Sequence, residues 1–427
     1  MRVAIVDPYF ITGFGYQTTG WFRALVAQGH QVRAFASPHL STVVRRHHPG
    51  NFALGLSREE GGEVLRLESR QLPRDVVDCP TLLRHVLDFS PELTLAVYPG
   101  TLFARSLFEN RSRLPGALVT AFGENSAQRR NTRPGWRQIA KNLMLDTGFF
   151  LLKRRFYRAA MEASDAVLLQ TPDTFDYLLR RIGGPRWRAE IAGRCVLLPL
   201  GFETRVFFPD PAAREAGRRE MSLSDREPLV LYACKIMPEK RLDLWVRIVA
   251  GAMRQVAGLR ALLIGRRDGD PWSDQVLRWI EATGLKDRFW FSPFAARETL
   301  AKWCNAADFG LWHLQPAVTI QEAMGTGLYM LMSTSDTMRH LVIDPDTGRH
   351  FPEGDERAAE ELLVETSRQW SDGRGPATPE ARRRRASINR RRFSYEALAA
   401  GLTAAVGDPR GLVAALRKAG DIGGRVD

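Results

Sequence analysis

Two short stretches place charge where chemistry could use it. Lys235-Ile-Met-Pro-Glu-Lys240 follows the apolar run Pro228-Leu-Val-Leu-Tyr-Ala-Cys234 and precedes a helical pattern from Leu242. Lys235 and Lys240 thus sit where a buried strand turns into a helix, the edge at which open α/β sheets bind ligands. Cations beside a helix N-terminus suit a diphosphate. Far downstream, Gln321-Glu322-Ala-Met-Gly-Thr-Gly327 puts a carboxylate near the start of a short segment closed by Gly325 and Gly327. A carboxylate accepts hydrogen bonds from two neighbouring hydroxyls, as a ribose offers. Cations for a diphosphate and a carboxylate for a diol describe a nucleotide-sugar site. Each has an ordinary alternative: a strand-end lysine that is simply solvated, and a glutamate that serves the helix dipole.

The elements that must position these residues are legible as alternating runs. Apolar strand candidates are Val3–Val6, Val32–Ala36, Leu93–Tyr98, Ala117–Ala121, Ala166–Gln170 and Val196–Leu200, with helical patterns such as Thr18–Gln28 and Thr174–Arg181 between them. The polar, proline-bounded stretch Pro209 to Pro228 reads as an interdomain connection with a short helix. Alternation then resumes: strands Leu229–Ala233, Ala261–Gly265, Phe289–Phe291, Phe309–Trp312, Leu328–Met332 and Arg349–Phe351, helices Leu242–Gln255, Asp274–Thr283, Arg297–Ala306 and Ile320–Met324. Strand–helix alternation means parallel sheets with helices on both faces. The expected architecture is α/β, with two Rossmann-like domains facing a cleft.

Bulk composition narrows the function. The chain has 427 residues, 44% of them hydrophobic, enough for two or three domains with full cores. A net charge of +13 points to an anionic partner: nucleic acid, an anionic membrane face or phosphorylated substrates. No positive-then-apolar leader precedes the first strand, and no apolar run of about eighteen residues occurs. Cys79, Cys195, Cys234 and Cys304 are far apart and form no ligand pair. A reduced cytoplasmic chain is expected.

The order of motifs resembles a known family, the retaining GT-B-fold glycosyltransferases of the family-four (glycosyl transferases group 1) type. Gly13-Phe-Gly15 and Gly29-His-Gln-Val32 are similar to its glycine-rich opening and its step into the second strand. Ser164-Asp-Ala-Val-Leu-Leu-Gln170 and Leu198-Pro-Leu-Gly201-Phe-Glu-Thr-Arg-Val-Phe207 resemble its later strand and hinge, with Glu203 in place of Asp. In the second half, Lys235 stands for the usual Arg and Lys240 matches the Lys. Ile264-Gly265-Arg-Arg-Asp-Gly269 and Asp287 to Phe294 resemble the strand ends under the nucleotide. Glu322 matches the second Glu of a Glu-x7-Glu motif, and Phe393-Ser-Tyr-Glu396 the signature before a terminal helix.

The resemblance implies a GT-B fold with an acceptor domain over residues 1–207, a nucleotide-sugar domain over 208–392, and a helical segment, 393–427, crossing back to the first. It implies transfer of a sugar from a nucleotide-diphosphate donor to a cell-envelope glycan or lipid-linked acceptor. Lys235 and Lys240 would hold the diphosphate. Gly15, Gly265, Arg266, Phe294, His313, Gln315, Ala317, Val318, Thr319 and Glu322 would line the donor, and Glu124 is a candidate acid, base or acceptor-orienting group. No cofactor is expected beyond the donor itself. The sequence departs from the pattern where the first Glu should stand, at Leu314, and in the loop Gln315-Pro316-Ala317. Other readings of the same fold are a nucleotide-sugar epimerase, a phosphorylase, or a non-catalytic RNA-binding or scaffold protein.

Three charged features remain. Asp268-Gly-Asp270 and Asp344-Pro-Asp346 could hold a metal, but Asp at Gly/Pro turns ordinarily bonds the local backbone, so no metal is expected. Arg129 to Arg158 holds nine basic residues and one acidic, interleaved with aromatics. Such a stretch either lies on an anionic leaflet, at the inner face of the plasma membrane, or packs on its own domain with a solvated basic face. Arg382–Arg385 and Arg390–Arg392 read as the solvated face of a terminal helix, or an RNA contact; nucleic acid is not the expected partner.

Overall fold

The computed structural model describes residues 1–12, 16–41, 51–72, 75–124, 140, 143–144, 147–148, 153–314, 316–372, 378–404 and 406–419. Its described residues divide into two compact units: those of 1–124, 140–200 and 395–419 form the first, and those of 201–394 the second. The breaks fall at 200/201 and 394/395, a few residues from the sequence expectation of 207/208 and 392/393.

The first unit is built on strands β1 (Arg2–Val6), β2 (Gln31–Ala36), β3 (Gly55–Glu59), β4 (Gly62–Arg66), β7 (Leu93–Val97), β8 (Ala117–Phe122), β9 (Ala166–Leu169) and β10 (Cys195–Leu197), with a separate two-stranded pair, β5 (Arg70–Leu72) and β6 (Val76–Asp78). The main sheet runs β10-β9-β8-β7-β1-β2-β4-β3 and is parallel except for the β3–β4 hairpin. β7 and β8 are buried along their whole length, the mark of parallel strands covered on both faces. One face carries α1 (Gln17–Ala27) together with the chain's final helices, α14 (Tyr395–Thr403) and α15 (Pro409–Ala419). Trp21, Phe22 and Leu25 share one core with Tyr395, Leu398, Leu402, Leu412 and Leu416. The other face buries α2 (Leu82–Phe89), α4 (Arg154–Ala163) and α5 (Pro172–Ile182), α3 being the short Arg105–Glu109.

The second unit has six parallel strands, β11 (Leu229–Ala233), β12 (Arg260–Arg266), β13 (Phe289–Pro293), β14 (Phe309–Trp312), β15 (Tyr329–Ser333) and β16 (Gly348–Phe351), in the order β13-β12-β11-β14-β15-β16. The first five were legible as apolar runs; β16, Gly-Arg-His-Phe, was expected as a strand without being one. α6 (Pro185–Ala192) belongs to the first unit; the second begins its helices with α7 (Pro211–Glu220). Late in the unit, α12 (Glu356–Ser371) buries Leu363 and Trp370 in the same core as these strands.

The stretch expected as a linker is therefore a packed helix. Arg214 and Arg218 of α7 both reach Asp308, at 2.6 and 3.1 Å, and Asp308 is fully buried. The second carboxylate oxygen of Asp308 also accepts the Leu229 N–H at 2.8 Å, tying α7 to the first strand of the sheet. The terminal arginine run is solvated at Arg383, Arg384, Arg390 and Arg391 but departs from that reading at three positions. In α13 (Pro379–Phe393), Arg382, Arg385 and Arg392 turn inward and are buried. Arg382 donates to the carbonyls of Cys304, Ala307 and Thr326, and Arg385 to that of Gly327. These carbonyls end α10 (Arg297–Ala306) and α11 (Val318–Gly325), so the arginines satisfy groups that no helix can pair internally.

Among the described residues no helix is long and apolar enough to cross a membrane. Most of the basic stretch from Arg129 lies outside the described residues. Its end forms α4, where Tyr157 and Met161 are buried, Arg154 donates to the Ile182 carbonyl at 2.9 Å and Arg158 pairs with Glu162 at 2.8 Å.

Candidate functional site

In the second unit the strand order runs outward from β11 through β12 to β13 on one side, and from β14 through β15 to β16 on the other. The reversal lies between β11 and β14. Connections there leave towards opposite faces and open a crevice at the carboxyl ends of the strands, where ligands of such sheets bind. The two segments picked out from the sequence leave these two strands.

From β11 the chain passes Lys235, makes one 3-10 turn over Pro238–Lys240, and enters α8 (Leu242–Gln255) through Arg241, whose backbone is left-handed (φ 46°). α8 is held against the sheet by Trp245, whose indole donates to the Leu311 carbonyl of β14 at 3.2 Å. Lys240 is 6% exposed. Its ammonium donates to the Pro316 carbonyl at 3.3 Å, and burial pulls its pKa below the usual lysine value. A buried cation with one neutral partner among the described residues is costly, and an arriving anion relieves that cost. Lys235 is half-buried at the strand end.

From β14 the chain passes His313, Leu314 and Pro316 and enters α11 with Ala317 at the N-cap and no side-chain cap. Thr319 donates its hydroxyl to the Ala233 carbonyl at 2.6 Å, pinning this helix start to the end of β11. Val318 is the first helical residue, beside them. His313 is buried; its Nε2 lies 3.1 Å from the Arg241 carbonyl, so that nitrogen carries the proton. Burial pushes its pKa down to about 4, and the ring is neutral at neutral pH. His313 thus ties the β14 loop to the start of α8. Leu314 is also buried, and its carbonyl accepts from Ser335 and Thr337 at 3.4 Å. Gly15 and Gln315 lie outside the described residues.

Two neighbouring strand ends complete the rim. Gly265 has φ +133°, and a Cβ there would run into the Cys234 carbonyl oxygen, so only glycine fits beside β11. Arg266 follows it, its guanidinium 3.7 Å from Asp268. Phe294, at the end of β13, is 61% exposed, with the Arg267 guanidinium 5.6 Å from its ring centre. An exposed aromatic at a strand end offers a face for stacking a base.

Glu322, in the second turn of α11, is 5% exposed, and among the described residues its carboxylate accepts no hydrogen bond. Burial drives its pKa up to about 7, opposed by Arg297 and reinforced by Glu203. The Arg297 Nε is 3.9 Å away, too far for a hydrogen bond. The two Asp-x-Asp tripeptides have local structural roles. Asp270 caps α9 (Pro271–Ala282) through Ser273 N–H at 2.8 Å, and Asp344 accepts from Asp346 N–H at 2.9 Å across its turn.

Glu124 is in the first unit, just after β8. Tyr157 donates its hydroxyl to one Glu124 oxygen, and the Gly123 N–H reaches the other at 3.2 Å. The carboxyl edge of this sheet carries further polar groups that sequence reading missed. Asp7 follows β1, is buried, and has its pKa raised to about 6 by that burial, against hydrogen bonds from the Thr18 hydroxyl and the Tyr9 N–H. Gln170, after β9, donates to Gln17 at 2.6 Å. A lone Asp or Gln at a strand end carries no signal in a sequence; only the shared edge groups them.

Residues 12–194 match the family described as glycosyl transferase 4-like domain. The chain is 26% identical over 194 residues to the GDP-mannose-dependent alpha-(1-6)-phosphatidylinositol monomannoside mannosyltransferase of Mycobacterium tuberculosis, a match covering 41% of this chain and 48% of that one. The chain thus spans about half the length of this curated relative. The sucrose-phosphate synthase of Thermosynechococcus elongatus superposes with TM-score 0.65 at 19% identity, over 93% of this chain and 96% of that one. HepE of Anabaena, solved in complex with UDP-glucose, superposes with TM-score 0.59 at 14% identity, over 92% and 96%. The chain therefore has the GT-B fold of glycosyltransferases. Residues 12–194 are similar to a glycosyl transferase 4-like domain, and the sequence relatives are named as glycosyltransferases.

Proposed function

We propose that the chain is a nucleotide-sugar-dependent glycosyltransferase that acts on a cell-envelope glycan or lipid-linked acceptor with retention of configuration. The observation that carries this reading is Glu322. A buried carboxylate without a hydrogen-bond donor is expensive. A ribose diol arriving at the carboxyl edge supplies two donors to it. Lys240 and Lys235 then meet the diphosphate, and Phe294 offers its face to the base. The Mycobacterium relative uses GDP-mannose and a phosphatidylinositol-linked acceptor by its name, and HepE was solved with UDP-glucose.

In the proposed transfer the bond from the sugar's anomeric carbon to the diphosphate breaks, and its electron pair goes to the phosphate oxygen. The lysines and the uncapped start of α11 stabilise the charge that develops there. The acceptor hydroxyl attacks from the same face, and its proton passes to the departing phosphate. Neither a protein nucleophile nor a metal is required. Glu124, fixed by Tyr157, would orient the acceptor hydroxyl. Leu314 cannot bond a sugar hydroxyl and Pro316 has no N–H, so the donor sugar is expected to be deoxygenated or otherwise modified where it meets this loop. Anionic vesicles, by co-sedimentation and salt release, test the proposed inner-membrane contact of the basic stretch.

The deciding experiment is a thermal-shift screen against UDP-, GDP-, dTDP- and CMP-sugars, hexose and deoxyhexose forms together, followed by calorimetry on Glu322→Ala. A ligand bound only by the folded state raises Tm. The expected result is one base preferred, with affinity lost in the variant. No shift with any donor overturns the assignment.

A further inference from the structure

Arg297 stands where a cation is least welcome. It is the first residue of α10, whose N-cap is Ala296 with no side-chain cap, so its guanidinium faces the positive end of the helix dipole. It is only 18% exposed. Local rules are broken in this way where a site needs the residue. Two carboxylates compensate. Glu203, which follows β10 in the chain, pairs with it at 2.9 Å. Glu322 lies on its other side, 3.9 Å from Nε, and that Nε is a buried donor with no partner among the described residues. The Phe207 ring, 5.6 Å from the guanidinium carbon, closes one face. The guanidinium is thus clamped between one carboxylate it bonds and one it only approaches, with an unused N–H beside the second.

We propose that Arg297 is the positioning residue of the nucleotide site: clamped by Glu203, it holds the Glu322 carboxylate ionised and turned towards the ribose diol. This rests on Glu322 being the ribose ligand. Arg297 does not touch the donor. It acts on the one group whose charge state decides whether two hydroxyls can both donate. The groups facing Glu322 are Arg297 from α10, Glu203 from the segment after β10, and the Cys304 thiol of α10, which burial keeps protonated. Arg297 favours the carboxylate, while burial and Glu203 oppose it. Glu322 therefore titrates close to neutrality, and diol binding should strengthen as pH rises through that range. Glu203 has two effects of opposite sign. It anchors the guanidinium, and its own like charge opposes ionisation of Glu322.

The test is calorimetric titration of a nucleoside diphosphate (the base that binds best among UDP, GDP, dTDP and CDP) from pH 5.5 to 9, on the full chain. Wild type should bind more tightly with rising pH and level off above about 8, a unit past the midpoint. Arg297→Met should move the midpoint up, so that affinity near pH 6 falls about tenfold for each unit of displacement while affinity at pH 9 recovers. Arg297→Lys should lie between the two. Glu203→Gln keeps an acceptor for the guanidinium and removes the like charge, so it should move the midpoint down. The 2′,3′-dideoxy nucleotide should show none of these shifts, and melting curves establish that each variant is folded. Opposite displacement by two partners of one salt bridge is not what a merely structural role gives. If the nucleotide binds and Glu322→Ala weakens it, but Arg297→Met and Glu203→Gln leave the midpoint in place, the inference about Arg297 is wrong and the site assignment stands. If neither wild type nor variants bind any nucleoside diphosphate, the site assignment fails and this inference with it.

Discussion

Replacing Lys240 by methionine separates a binding role from a structural one, because the two pull in opposite directions. The methionine keeps most of the buried stem and removes the charge. Among the described residues Lys240 gives one hydrogen bond, to the Pro316 carbonyl at 3.3 Å, and its pKa is lowered mainly by burial. Losing that bond costs about 0.5–1.5 kcal/mol, and losing the buried charge returns a similar amount. The free variant should therefore unfold within about 1 kcal/mol of wild type. The sign with pH follows. A lysine whose folded pKa lies below its unfolded value binds fewer protons when folded, so it costs stability fully at low pH. That cost is relieved as pH rises through the folded value towards 10.5. Urea titrations at pH 7 and 9.5 should show wild type gaining on the variant at the higher pH. Binding should respond the other way. A charged hydrogen bond to a diphosphate contributes about 1.5–3 kcal/mol, so the variant should bind nucleoside diphosphate roughly 10- to 150-fold more weakly. A variant several kcal/mol less stable with unchanged diphosphate affinity would refute the reasoning and make Lys240 a strut between two loops.

Three other perturbations test separate parts of the description. Gly265→Ala forces a side chain into a backbone at φ +133° against the Cys234 carbonyl, and should cost at least about 2 kcal/mol in chemical denaturation; a neutral result would mean that the strand end relaxes freely. Arg218→Ala leaves the fully buried Asp308 with a partner missing, and should destabilise the second unit by about 3–5 kcal/mol, read by the same method. Turnover, once a donor is found, should survive EDTA; loss of activity restored by Mg²⁺ or Mn²⁺ would show that a metal, and not Lys235 and Lys240, stabilises the leaving group.

The strands were readable because parallel strands covered on both faces are near-continuous apolar runs, as in Leu229–Ala233 and Ala117–Phe122. The β3–β4 hairpin was not read. Gly55-Leu-Ser-Arg-Glu59 is half-exposed and polar, and the turn uses Glu60 and Gly61, both at positive φ, where glutamate gives no turn signal. Inward arginines were invisible for another reason. Arg218 finds Asp308 ninety positions away, and Arg382 finds carbonyls at the ends of two other helices, so neither partner marks the local sequence. In the candidate site, Lys235, Lys240 and Glu322 were picked out by type and spacing. Arg297 was read only as a helix start. Its one local signal is a cation at the first helical position after an alanine that cannot cap.

The first unit keeps part of its core at the far end of the chain. Tyr395, Leu398 and Leu416 fill the same core as Trp21 and Leu25, and Gly20 is tight against the Tyr395 ring, where a Cβ would overlap it. During synthesis, residues 1–200 leave the ribosome with that face of their sheet covered by α1 but not by α14 and α15. The second unit, complete at Ser394, can close before the first does. Order of emergence and order of completion are thus reversed, and the earliest-made strands wait longest with apolar surface exposed. A nonsense codon at position 395 would then damage the half of the protein already made, and residues 1–200 expressed alone should aggregate unless residues 395–419 are supplied.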